Sequence, residues 1–396
     1  MATWDSGEPQ GVAEYVDRAR ALAPLIATEA DAGERERRVT GTLMAALHEA
    51  KLFRLLLPRP MDGAELDPVT FVRVIEEVAK ADGSTAWCLC QAAGCAMTAA
   101  YLPPDIAREI FGHRHSVLAW GPGPNARAVA VDGGYRVDGT WSFASGSPHA
   151  TWLGGYCPIF DADGTRRRRA DGTPDGRTML FPATSVVVTD TWHVVGLRAT
   201  GSNTHTAADL FVPQAHSVSR DDPAERRHAS PLYCFPSGSL YAGGFACVAL
   251  GIARAMMDEF VALAGDKTPR AWKGKLRENA VVQSQVAQGE AKLRAARLHL
   301  LSSLDAIWRS VGRVGELTIE QRMLIRLSAT FAIHQAQEVA DTIYHAAGAS
   351  AVFQSGGFER RFRDIHTVTQ QLQGRQAHFE TVGQFLLGLE PDLSFV

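Results

Sequence analysis

Residues 135–152 read YRVDGTWSFASGSPHATW. In the first half, Tyr135, Val137, Trp141 and Phe143 alternate with Arg136, Asp138, Thr140 and Ser142. That is the two-residue period of a half-buried strand. Asp132-Gly133-Gly134, just before it, has the chemistry of a hairpin turn. The alternation stops at Ala144-Ser145-Gly146, where a small hydroxyl residue followed by glycine lets backbone and Oγ approach a flat ligand closely. A strand that ends in a polar turn accounts for the same residues, so their surroundings have to decide.

On the N-terminal side, residues 11–112 carry helical patterning. Val12–Ala30 and Thr40–Ala50 space their apolar positions by three and four. Asp67-Pro68 is a helix start, an N-cap followed by proline, and Phe71, Val74, Ile75 and Val78 form the buried stripe after it. Thr85–Tyr101 is almost uncharged, which predicts a helix buried on every side. From about Ser116 to Pro213 the pattern changes to short β-branched runs with glycines. These are Val129–Val131, Gly154–Phe160, Met179–Pro182, Ser185–Thr189 and Ala207–Pro213, with a polar loop over Asp161–Arg177. Asp221–Ser230 reads as a charged linker, and helices follow over Ala242–Leu263, Lys275–Gly312, Thr318 to about Ala347, and Phe358–Leu389. Thr318-x-x-Gln321 is a capping box. Phe358, Phe362, Ile365, Leu372, Phe379 and Leu386 fall near a seven-residue spacing, as a bundle seam requires.

Composition narrows the function classes. The 396 residues suggest two or three domains, and 46% hydrophobic with 21% charged residues describes a globular chain. A formal net charge of −3 without a basic face argues against nucleic acid. The apolar runs look too short for a membrane span, and Met1–Gln10 lacks a signal-peptide pattern, so a reducing cytoplasmic location is expected. The six cysteines spell neither a disulfide framework nor a metal site. No Walker, HExxH, GxSxG or strand-borne GxGxxG motif occurs, which leaves a redox cofactor, if there is one, to be a flavin rather than a nicotinamide on a Rossmann unit.

Gly139, Trp141, Phe143, Ser145, Gly146, His149, Ala150 and Trp152 together resemble the flavin-binding strand of the acyl-CoA dehydrogenase superfamily, in its oxygenase branch. That branch comprises the oxygenase components of two-component flavin monooxygenases, such as 4-hydroxyphenylacetate hydroxylase and dibenzothiophene monooxygenase. Ser84-Thr85-Ala86-Trp87, Gly196-Leu197-Arg198-Ala199-Thr200-Gly201-Ser202 and Arg363-Asp364-Ile365-His366 extend the resemblance over roughly residues 15–390. It implies an α+β multidomain fold: an N-terminal helical domain (1–115), a central β-barrel (116–225) and a C-terminal four-helix bundle (226–396). It implies reduced FMN or FAD (FMNH2 or FADH2) from a separate NAD(P)H:flavin reductase, O2 as co-substrate, a flavin C4a-hydroperoxide, hydroxylation of a small aromatic substrate, and a homotetramer. By resemblance, Ser145 and His366 are catalytic; Trp120, Ser145, Gly146, Arg198 and His366 bind the flavin; Trp87, Gln91 and Cys95 line the substrate pocket; no metal is involved. His149 and His193 are taken as structural. A histidine at position 366 also fits chemically, since imidazole can pass a proton near neutral pH.

Two other readings stand beside it. An acyl-CoA dehydrogenase needs a carboxylate to take the α-proton of a thioester. Thr369–Gly374, where one is commonly found, has none, while a second place for the base on an earlier bundle helix stays open. A helical scaffold that has lost its flavin is opposed by the presence of Ser145, Arg198 and His366. One departure from the branch is visible. The phenol hydroxylases carry a pocket histidine eight residues after the tryptophan matched by Trp87, and Cys95 stands there instead, with no histidine from Ser84 to Tyr101. A buried thiol is a poor base, so the expected substrate is already electron-rich, such as an indole, a fused polyphenol or a heteroatom centre, or is deprotonated by a group elsewhere.

Overall fold

The computed structural model describes residues 10–169, 172–220 and 222–393. Met1–Pro9 of the leader reading, residues 170–171 of the polar loop and Asp221 of the charged linker lie outside them. Helices come first: α1 (Gln10–Glu36), α2 (Gly41–Glu49), α3 (Pro68–Ala81), α4 (Gly83–Ala96) and α5 (Pro104–Phe111). The expected caps form. Asp67 accepts from the N–H groups of Val69 and Thr70, with Pro68 at the first helical position, and Asp82 accepts from Thr85 N–H. Every residue of α4 except Gln91 is buried, so α4 is indeed enclosed and only one side chain breaks its seal.

The strands are β1 (Leu118–Trp120), β2 (Arg127–Val131), β3 (Gly134–Ala144), β4 (Trp152–Phe160), β5 (Gly176–Pro182), β6 (Val187–Thr189), β7 (Asn203–Pro213) and β8 (Ser217–Val218). They form a sheet in the order β6-β7-β3-β2-β4-β5-β8, with β1 parallel on β4. The sheet curls round its own small core, in which Trp141 stacks on His205 at 5.2 Å. Phe143 departs from the predicted alternation. A bulge between Trp141 and Ala144 sets it at φ 59, outside the buried face on which Tyr135, Val137 and Trp141 lie.

The remaining helices are α6 (Ser237–Asp266), α7 (Ala280–Val314), α8 (Ile319–Ala347), α9 (Gly357–Thr369) and α10 (Ala377–Leu386). α6 is long and apolar enough to cross a membrane, but 89% of its most apolar window is buried among α3, α4 and α8, so it is a core helix. Thr318 and Gln321 make the capping box. α7 starts five residues later than the periodicity predicts, where Asn279 caps Val281 and Val282. The expected single helix over Phe358–Leu389 is broken after Thr369. Gln371 accepts from Gln373 N–H at 2.7 Å, Gln373 Oε1 accepts from the buried Arg326 of α8, and His334 of α8 bonds Gly374 O at 2.9 Å. These polar bonds satisfy the turn that a continuous helix would have consumed. Leu386, assigned to the seam, is mostly exposed.

Candidate active site

A cavity of about 630 Å³ opens where the first helices, the sheet and the last helices meet. α4 contributes Trp87 and Gln91, and α6 contributes Tyr241 and Phe245. Trp120, Phe143 and Ser145 come from the sheet. The broken segment after α9 adds Gln370, Gln371, Leu372 and Gln373. Trp87 stacks on Phe245 at 3.9 Å and Tyr241 stacks on Phe245 at 5.7 Å, giving one aromatic wall. Among the described residues the lining holds no Asp, Glu, Lys or His; its charged members are Arg220 and Arg375.

Ser145 is held by a directed row of hydroxyls. Thr200 Oγ1 donates to Leu197 O at 2.8 Å. Its single proton being spent, the 2.7 Å bond with Ser202 must take the Ser202 proton, and the 2.7 Å bond between Ser202 and Ser145 must take that of Ser145. Trp87 Nε1–H donates to Ser145 Oγ at 3.0 Å. Ser145 therefore turns a lone pair, not a proton, toward the cavity. The row is anchored beyond the sheet as well, because Leu197 N–H donates to Asp364 of α9 at 2.6 Å. Burial, with the charge of Asp82 adding to it, pushes the Asp364 carboxyl up to about 7.

The residues singled out in the sequence do not all meet here. Ser145, Trp120, Trp87 and Gln91 line the cavity. Cys95 sits behind it, bonded to Gln91 at 3.6 Å and Tyr241 at 3.5 Å, and burial pushes its thiol up to about 12. Gly146 takes φ 79 and gives its N–H to Thr200 O at 2.8 Å, closing the turn behind Ser145 rather than facing the cavity. Arg198 points to Glu34 of α1 at 3.6 Å, outside the lining. His366 is also outside it: Nε2 bonds Asp341 of α8 at 2.9 Å and the ring lies edge-on to Phe362. Thr367, the next residue of α9, does line the cavity, as does Gln370 just past the end of the helix, so the imidazole stands beside that wall rather than in it. His149 is half-buried, and desolvation lowers it to about 4, while His193 lies exposed beside Asp190. Sequence reasoning missed Tyr241, Phe245 and the run Gln370–Gln373. The glutamines carry the readable signal, since three amides in Thr369–Gly374 are costly inside an uninterrupted bundle seam.

The residues present fit a flavin. Phe143, more than half exposed, meets Trp192 edge-on at 5.9 Å in the cavity wall, and Trp120 offers a further aromatic face for a planar ring. The Ser145 lone pair suits a ring N–H, and the amide row suits the carbonyl edges of the ring.

The family description "Acyl-CoA dehydrogenase, N-terminal domain" matches residues 12–102, and "Acyl-CoA dehydrogenase, C-terminal domain" matches residues 243–374, together more than half of the chain. This chain is a member of the acyl-CoA dehydrogenase superfamily. Within the superfamily it is similar to indole-3-acetate monooxygenase of Pseudomonas putida, at 29% identity over 90% of each chain. The crystal structure of 3-HSA hydroxylase from Rhodococcus sp. RHA1 superposes with a TM-score of 0.89 at 26% identity, covering 97% of this chain and 99% of that one. XiaF from Streptomyces sp., solved with FADH2 and glycerol, superposes with a TM-score of 0.88 at 27% identity, covering 96% and 97%. The superfamily fold expected from the sequence is thus the fold found, and two of these relatives are named a monooxygenase and a hydroxylase rather than a dehydrogenase.

Proposed function

We propose that this superfamily member is the oxygenase component of a two-component flavin-dependent monooxygenase, acting on a small electron-rich aromatic substrate. A separate NAD(P)H:flavin reductase supplies FMNH2 or FADH2, and the working form is a homotetramer. The observation that carries the reading is the pairing of an acceptor-directed Ser145 with a carboxylate-free aromatic lining. A dehydrogenase acting here would need a base for the α-proton, and the lining offers no carboxylate.

When bound, the reduced flavin supplies two electrons and activates O2, so that one oxygen atom enters the substrate and the other leaves as water. The protein's share is positioning and exclusion. Ser145 and Trp120 would hold the ring, with Ser145 accepting from its N–H, while Gly146 and Arg198 act through the turn behind Ser145. The wall of Trp87, Phe245 and Tyr241 keeps water from the reacting face. Gln91, placed by Tyr241 and Cys95, offers its amide to the substrate. His366, tied to Asp341, is assigned a positioning role between α9 and α8. With neither a basic thiol nor an imidazole in the lining, the substrate must arrive electron-rich.

The purified chain with NADH or NADPH alone should consume no oxygen, and any reductase that releases free reduced flavin should restore consumption. Rapid flavin reduction by NADH in the isolated chain would overturn the reading.

A further inference from the structure

Arg220, two residues beyond the end of β8, lays its guanidinium over the Trp120 ring at 4.3 Å and donates to Gly94 O of α4 at 3.2 Å. It lines the cavity, yet among the described residues no carboxylate stands within ion-pairing distance of it. Glu225, an acid that this segment engages through Ser219 N–H, is taken by Arg177. A guanidinium with one flat face covered by an indole and one edge bonded to a carbonyl still has N–H groups in its plane. Planar, paired N–H donors match a carboxylate better than any neutral group. Removing such a charge from water without an opposite charge is unfavourable, so a cavity that Arg220 lines and no described acid does is built for an anion.

Two anions could answer that description, a carboxylate on the substrate or the phosphate of the flavin. The position favours the first. Arg220 is bonded to α4, the helix that carries Trp87 and Gln91, and shares that wall with Tyr241. We propose that Arg220 is the anion anchor of the substrate subsite, and that the substrate is an aromatic carboxylic acid whose ring lies against the Trp87–Phe245–Tyr241 wall. This rests on the monooxygenase reading for the fate of the substrate, but not for its binding.

The test is anaerobic equilibrium binding to the full-length protein, by calorimetry and tryptophan quenching, with and without reduced FMN. The probes are indole-3-acetate and its neutral amide. Wild type should bind the acid at least ten-fold more tightly than the amide, with the preference shrinking as salt rises. Arg220→Gln should bring the two affinities together, leaving that for the amide and for reduced FMN within about three-fold. Arg220→Lys, which keeps the charge without the planar fork, should fall between and guards against a folding defect in the first variant. Equal wild-type affinities for acid and amide would overturn the proposal. So would an Arg220→Gln protein that keeps its preference for the acid but loses reduced FMN relative to reduced riboflavin, because Arg220 would then serve the cofactor phosphate. An acid preference that vanishes in Arg220→Gln, in a protein that fails the reductase test above, would keep the anchor and remove only the oxygenase reading.

Discussion

At the scale of single residues, the direction of the hydroxyl row is the property that matters most. Ser145→Ala removes the acceptor itself, and Ser202→Ala leaves Ser145 with a free proton that can turn toward the cavity. Both variants should release more of the consumed oxygen as hydrogen peroxide, by about five-fold for one lost hydrogen bond. The double variant should be little worse than either single one, since both break the same row; additive effects would show that the two serines act separately. His366→Ala should leave oxygen consumption within about three-fold of wild type and show its effect in thermal stability instead, as a residue paired with Asp341 outside the cavity would. Asp364 gives a pH signature. Its carboxyl sits at about 7 when folded against 3.8 as a free group. Below that window both states hold the proton. Within it only the unfolded chain releases it, so stability falls as pH rises and the loss is complete once the folded group ionises. Asp364→Asn keeps an acceptor for Leu197 N–H and removes the titration. The variant should gain on wild type between pH 5 and pH 8, by an amount on the order of 3 kcal/mol at most. Melting temperatures that track wild type at both pH values would show that the carboxyl is not held protonated.

At the scale of elements, the cavity depends on how closely α4 and α6 approach. A Cβ placed on Gly94 would lie 2.3 Å from the Tyr241 ring, so this glycine gives the ring its room. Gly94→Ala should cost roughly 1–3 kcal/mol by overpacking and push Tyr241 into the cavity, weakening aromatic binding while leaving the sheet unchanged. Substrate affinity equal to wild type would refute the contact. Elements also mark how far the sequence can be read. Asp67-Pro68, the Gly133 hairpin and the Thr318 box are local signals, and each forms as written. The phase of Phe143 was not legible, because a bulge is set by the register of β7 rather than by residues of β3. Nor was the break after Thr369, whose partners Arg326 and His334 lie some forty residues earlier. Ser145 could be found because a hydroxyl followed by glycine stands out at a strand end. His366 stands beside the lining while Thr367 stands in it, because helical phase, not motif, decides which side chains of α9 face inward.

At the scale of the whole molecule, the cavity is enclosed by three groups of elements, so its integrity is a property of the assembled chain. The proposed homotetramer predicts a light-scattering mass near four times the 42.8 kDa chain; a monomer at working concentration would exclude it. The burial of α6 has another consequence, for how the chain is made. Its partners α3 and α4 leave the ribosome before it, but α8, which covers much of the rest, follows some fifty residues after α6 ends. During that interval a thirty-residue helix apolar on nearly every side is only half covered, the kind of transient surface on which nascent chains associate. Refolding from denaturant should therefore lose yield steeply as protein concentration rises, and a chain ended after Val314 should collect in the insoluble fraction. Synthesis at low temperature or with a chaperone that shields apolar helices should recover the full-length protein but not the shortened one, since only the former ever acquires its missing cover.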